Sequence, residues 1–131
     1  LDFLQYVLET YPNLHVELGG RFADFHAMRR DRLRAFMIRH ADRILFGTDF
    51  APFALREGVE RAAERYRLAF QLLESDAIVA LPNGQAGAIP SQGLALPAEV
   101  LEKIYYRNAA RLYPRLKSVL QGQGFQLKDG S

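Results

Sequence analysis

The sequence predicts an α/β fold with parallel strands, and three observations carry that expectation. Two short apolar runs, LHVEL (residues 14–18) and RILFGT (residues 43–48), have strand character and polar or glycine-rich exits. Apolar residues recur at helical spacing in the segments before, between and after them. The resulting order of helix, strand, helix, strand, helix is the grammar of βαβ units. Two parallel strands alone make a poor sheet, because parallel sheets need both faces covered.

In LDFLQYVLETYPN, Leu4, Val7, Leu8 and Tyr11 share a helical face, and Pro12-Asn13 stops the helix. The run 14–18 alternates apolar and polar residues and ends at Gly19-Gly20, as a short strand does. A second helix is expected over about 23–41. Phe22, Phe25, Leu33, Phe36 and Met37 lie on one side of it, and Asp31 and Arg34 lie elsewhere. Residues 43–48 form the second strand. A long helix over about 56–74 follows, with Val59, Ala63, Tyr66, Phe70 and Leu73 on its apolar side. Residues 75–97 break the rhythm and read as a hairpin insertion, since Asn83-Gly84 between apolar runs is a strong turn signal. A last helix begins at Pro97 and ends at Pro114, with Leu101, Ile104, Tyr105 and Leu112 along one side. The Gly- and Gln-rich stretch 121–131 is expected to be a flexible tail.

Composition narrows the function classes. The 131 residues are a normal single-domain length, and 49% hydrophobic with 24% charged residues is the balance of a soluble globular protein. A formal net charge of +2 is mild, without the dense basic stripe of a nucleic-acid binder. The absence of cysteine excludes disulfides, zinc-thiolate sites and thiol nucleophiles. No apolar run approaches the roughly 20 residues that span a bilayer, and nothing reads as a signal peptide, so the expected location is cytoplasmic. The chain starts at Leu1, already inside an apolar-periodic segment, as a piece of a larger protein would.

Asp49 is the leading candidate for chemistry. Strand side chains alternate, so Leu45, Gly47 and Asp49 point one way and Ile44, Phe46 and Thr48 the other. With helices packed on Ile44 and Phe46, Asp49 stands at the carboxyl end of the strand, on the rim where parallel α/β folds place active sites. A carboxylate there can ligate a divalent cation or accept a proton from a bound water. Taken alone, Gly-Thr-Asp favours a turn or helix cap. His15 and Glu17 share a face of the first strand, either a polar layer inside a barrel or a solvated sheet face. His26 and His40 lie 14 residues apart, too far to share a metal along one helix, and read as partly buried, hydrogen-bonded side chains. The arginine-rich stretch 21–39 is interrupted by Asp24 and Asp31 and reads as a solvated face in preference to a phosphate site. Arg21 follows the first strand's exit, where it either holds an anionic substrate group or forms a structural ion pair.

YPNLHVELGGR, RAFMIRHADRILFGTDF, YRLAFQLLESDA and GLALPAEVLEKIYYRNAARLY, in that order, resemble the C-terminal end of amidohydrolase family 2, over residues 1 to about 114. These are metal-dependent hydrolases built on a (β/α)8 TIM barrel. The resemblance implies that LHVEL and RILFGTD are barrel strands seven and eight, followed by a C-terminal helical extension, the whole chain being a single partial domain. It implies that Asp49 both contributes to the metal site and serves as catalytic acid or base. It gives Glu17 and Arg21 family-like positions, Arg21 as a substrate-binding residue, and makes Asn108 and Arg111 part of a packing element. The implied cofactor is a divalent metal ion, zinc or manganese, acting on a small-molecule substrate by hydrolysis or by decarboxylation of an aromatic acid.

The family's His-x-His pair and later metal-ligand histidines have no counterpart here, and a barrel of this kind needs roughly 250 residues. One carboxylate cannot hold a catalytic metal. The expectation is therefore a part of an enzyme that is inactive by itself and completed by a missing N-terminal barrel portion. The alternative is a non-catalytic module that covers its open strand edges by self-association. Neither expectation includes a nucleic-acid or membrane partner.

Overall fold

A computed structural model describes residues 1–49, 58–82, 87–125 and 127. Helix α1 (Asp2–Thr10) leads to strand β1 (Val16–Glu17), a 3-10 turn (Phe22–Ala27), helix α2 (Arg30–Arg39), a second 3-10 turn (Ala41–Arg43) and strand β2 (Ile44–Leu45). Helix α3 (Val59–Glu74) precedes strands β3 (Ile78–Pro82) and β4 (Ala88–Gln92). The chain then runs through α4 (Ala98–Glu102), a π turn (Lys103–Arg107), α5 (Asn108–Leu112) and α6 (Pro114–Gly122).

The two predicted strands pair in parallel, Val16 with Ile44 and Glu17 with Leu45. The ladder is shorter than the apolar runs that announced it. Leu18 N–H extends it by donating to Leu45 O, and Phe46 N–H leaves it to donate to Ile104 O at 2.9 Å in the π turn. The C-terminal helical segment thus finishes the sheet edge that β1 does not reach. Asn108, 2% exposed, completes this join: its Nδ2 donates to Ala41 O at 2.6 Å and Ile44 O at 2.8 Å. Arg111 donates to Asp42 O on the same turn. Both residues are packing elements, as the family resemblance implied.

The core gathers Leu8, Leu33, Met37, Ile44, Leu72, Leu73, Leu94 and Ile104, with Phe22 and Phe25 closing one side. Burying each of the large side chains contributes about 1.5–3 kcal/mol. An aromatic cluster flanks this core. Phe46 stacks on Phe70 at 5.0 Å and meets Tyr105 edge-on at 5.3 Å, an arrangement that suits the quadrupoles of the rings. Tyr105 donates its hydroxyl to Glu74 Oε1, and burial first, then that carboxylate, push its pKa well up, so the phenol remains a donor.

Several expectations need correction. The helix expected over 23–41 is divided: Met28 and Arg29 are extended, which separates the 3-10 turn from α2. In the tighter turn residues three apart eclipse, so Phe22 and Phe25 come to 5.5 Å on one side. The buried stripe of α3 is Ala62, Ala69, Leu72 and Leu73, while Val59, Ala63 and Tyr66 are exposed. The helix packs on β3, which rotates its inner face away from the expected positions. In the last helix Leu112 is exposed and Asn108 and Ala110 are buried, because the π turn widens the helix and turns the face that follows it. Pro114 also begins a helix of its own, α6, which runs to Gly122. The end of the expected flexible tail lies outside the described residues.

The hairpin is as expected, with β3 and β4 antiparallel from Ile78–Gln92 to Pro82–Ala88. Its Asn83-Gly84 turn lies outside the described residues. Beyond β4, residues 93–96 turn back over the end of α3. Leu94 N–H donates to Leu72 O, Leu96 N–H to Leu73 O and Ala95 N–H to Ser75 O, satisfying carbonyls that a helix end leaves open. The carbonyls of the same segment accept from Arg30, to Gly93 O, and Arg34, to Leu94 O and Ala95 O. These two arginines are therefore structural clamps and not part of a solvated face. Arg43 acts alike at the end of α1, donating to Leu8 O, Tyr11 O and Leu14 O.

Asn108→Ala is expected to lower unfolding free energy by about 2–4 kcal/mol, because two buried carbonyls lose their donor. Urea denaturation measures it, and a loss under about 1 kcal/mol would mean that water replaces the amide.

Candidate active site

The exits of β1 and β2 lie side by side, and their residues build one cleft. Gly20 has φ 69, a conformation that costs a glycine little, and so turns the chain sharply after β1. Asp49 has φ 55, in the left-handed region that Asp tolerates better than most residues. The two turns bring the Asp49 carboxylate close over Gly20: a Cβ added there would lie 3.2 Å from Asp49 Oδ2. Thr48 and Asp49 from the β2 exit, and Gly20, Phe22 and Ala23 from the β1 exit, line an open cleft of about 250 Å³. Arg65 and Ala69 of α3 and Leu81 and Pro82 of β3 also line it.

The sequence candidates distribute unevenly around this cleft. Asp49 stands exposed at its lining, four residues beyond Leu45, the last residue of β2, and not directly at the strand end as expected. Glu17 shares the face of Gly47, and its carboxylate fills the space a side chain at Gly47 would need, with Oε1 1.3 Å from the position of an added Cβ. Arg21 is exposed and pairs with Asp24 at 3.0 Å, and it is not among the cleft-lining residues. Arg65 was not singled out from the sequence, where it is one of several arginines on a charged helix. Only the fold of α3 against the β2 exit separates it from its neighbour Arg67, which pairs with Glu64 at 2.6 Å.

The histidines lie apart from the cleft lining. The ring of His15 faces Asn13 O through Nδ1 at 3.2 Å, and its buried Nε2 has no hydrogen-bond partner among the described residues. His26 is exposed, its Nδ1 at 2.6 Å from Ala23 O. His40 is buried with its ring 4.9 Å from Phe36, and its Nε2 also lacks a partner among the described residues. The expectation of a hydrogen-bonded, partly buried ring is thus corrected for exposed His26 and, at Nε2, for His40. Burial holds the pKa of His40 below the ordinary 6.5, with Arg39 adding to the effect, Glu9 opposing it and Arg43 reinforcing it.

The family model for amidohydrolases matches residues 2–115. The chain belongs to the amidohydrolase family. No curated protein and no solved structure gives a significant match. As an amidohydrolase the chain is assigned hydrolase-type function in general, and members of the family generally use divalent metal ions. The described residues do not fit such an ion by themselves: no group of three or more His, Cys, Asp or Glu among them could hold one. A catalytic zinc site ordinarily takes three protein ligands. No described helix of this amidohydrolase is long and apolar enough to cross a membrane.

The low folded-state pKa of His40 predicts a pH effect on stability. Below about pH 6.5 the unfolded chain takes up a proton that the folded chain resists, so stability falls as pH drops from that value toward the folded pKa. The urea midpoint is expected to be lower at pH 5.5 than at pH 7.5, about one unit either side of the ordinary histidine pKa, and His40→Gln is expected to narrow that difference. An unchanged difference in the variant would assign the effect to other groups.

Proposed function

We infer that this chain forms the Asp49-bearing end of a hydrolytic active site in a (β/α)8 amidohydrolase, and that β1 and β2 are the last two strands of that barrel. The observation that carries the reading is the position of Asp49: an exposed carboxylate at the exit of a parallel strand, over the exit of its neighbour and lining a cleft. Parallel α/β folds gather their chemistry at that end of the strands. In this reading Asp49 accepts the proton of the attacking water and returns it to the leaving group, as a general base and then acid. The remaining polar groups, including the ligands for a zinc or manganese ion, belong to a preceding part of the same barrel. Such an ion, when bound, lowers the pKa of its water and polarises the bond to be cleaved. Hydrolysis of an amide, ester or related bond is the reaction favoured by the family, with decarboxylation of an aromatic acid as its variant. A small molecule is the substrate, and the location proposed is cytoplasmic.

A second reading is favoured by the outer face of α1, where Phe3 is 79% and Tyr6 64% exposed. Exposed aromatic residues on one helix face of a chain with a two-stranded parallel sheet suit the surface of a self-associating, non-catalytic module.

The chain alone is expected to leave p-nitrophenyl esters at background rates with or without zinc or manganese. An Asp49-dependent rate would show a complete site and overturn the shared-site reading. In the longer polypeptide that reading requires, Asp49→Asn is expected to lower kcat by about 10²–10⁴-fold with KM little changed. Sedimentation decides the alternative, which needs a well-folded oligomer indifferent to zinc.

A further inference from the structure

The lining of the Asp49 cleft carries a cation that the hydrolytic reading leaves without a task. Arg65 sits on α3, 16 residues along the chain from Asp49, and lines the same cleft. Neighbouring arginines are engaged elsewhere. Arg67 is held by Glu64 on the same helix, Arg21 by Asp24, and Arg30 and Arg34 by backbone carbonyls. Among the described residues Arg65 has no ion-pair or hydrogen-bond partner, so its guanidinium donors remain available to a ligand.

Apart from Thr48 and Asp49, the side chains that line the cleft with Arg65 are apolar. Phe22 and Leu81 are buried core residues that show one side to the cleft, and Ala69 and Pro82 complete the surface. The volume, about 250 Å³, lies just below the roughly 300–1,000 Å³ of ordinary ligand pockets, which limits the occupant to a small molecule. Asp49, which lines the same cleft, disfavours a second negative charge beside it. A planar guanidinium matches a carboxylate by two parallel N–H···O bonds, a geometry a point charge cannot reproduce.

We propose that Arg65 is the substrate-anchoring residue of this cleft and binds the carboxylate of a small monoanion whose compact apolar body lies against Phe22, Ala69 and Leu81. The assignment rests on the hydrolytic reading for its biological meaning, since it presents the uncharged part of the ligand toward Asp49. It does not rest on that reading for its test, because binding and turnover are separate measurements. It also moves the anion-binding role from Arg21, at the exit of β1, to α3.

Benzoate titrated into the isotopically labelled chain, followed by NMR, is the experiment. Shifts are expected at Ala23, Ala69 and Leu81, with benzamide, the uncharged isostere, binding about tenfold more weakly. Arg65→Gln is expected to weaken benzoate by about tenfold, and Arg65→Lys to recover only part of it. Asp49→Asn is expected to retain or tighten binding, since it removes a like charge, and Arg67→Ala to leave it unchanged. A preserved spectrum in each variant keeps loss of binding distinct from loss of fold. Equal binding of benzoate and benzamide, loss in Arg21→Ala in place of Arg65→Gln, or inorganic phosphate binding as tightly as benzoate would each overturn the proposal. Failure of Asp49→Asn to affect turnover in the longer polypeptide would remove the hydrolytic reading and leave the Arg65 result standing.

Discussion

A parallel pair of two residues on each strand has too few ladder bonds to hold its own register, so β2 takes the rest of its bonds from a helix. The amide of Asn108 bridges the carbonyls at both ends of the segment that enters β2, and Phe46 N–H passes its bond to the π turn. This join fixes where β2 stops and therefore where Thr48 and Asp49 leave it. The position of the candidate carboxylate thus depends on an amide 59 residues further along the chain. A buried amide has little freedom in such a role, because each unmet carbonyl in the interior is costly.

Arginine is the second recurring device. Arg30, Arg34 and Arg43 each deliver donors to backbone carbonyls that no regular ladder satisfies. A guanidinium suits this task because it offers five donors in a fixed plane and remains charged. The same chemistry explains how one residue type can serve both as scaffold and, at Arg65, as an available cation. Surroundings decide the role: a carbonyl-rich chain reversal in the first case, an open apolar cleft in the second.

Local signals were legible in the sequence and long-range ones were not. The two strands and the hairpin follow from alternation and turn chemistry within a few residues, and the family resemblance correctly set Asn108 aside as packing. The inner face of α3 was misread because β3 packs against it, and periodicity alone does not know which neighbour will arrive. The π turn left no local signature, since widening a helix by one turn is a response to what lies beneath it. The clamps of Arg30 and Arg34 join residues 63 and 60 positions apart, a pairing that no spacing rule predicts. Arg65 stayed hidden for the same reason: its distinction from Arg67 is which side of α3 meets the cleft.

The left-handed backbone at Asp49 has a consequence for which residues this position can accept. Asparagine and glycine can take its place without remaking the strand exit, whereas most other side chains meet a steric penalty there. Glutamate, which preserves the charge, is consequently a poorer substitute than asparagine, which abolishes it. Shape and charge therefore select independently at one residue, and swaps that look conservative on chemical grounds become structural lesions.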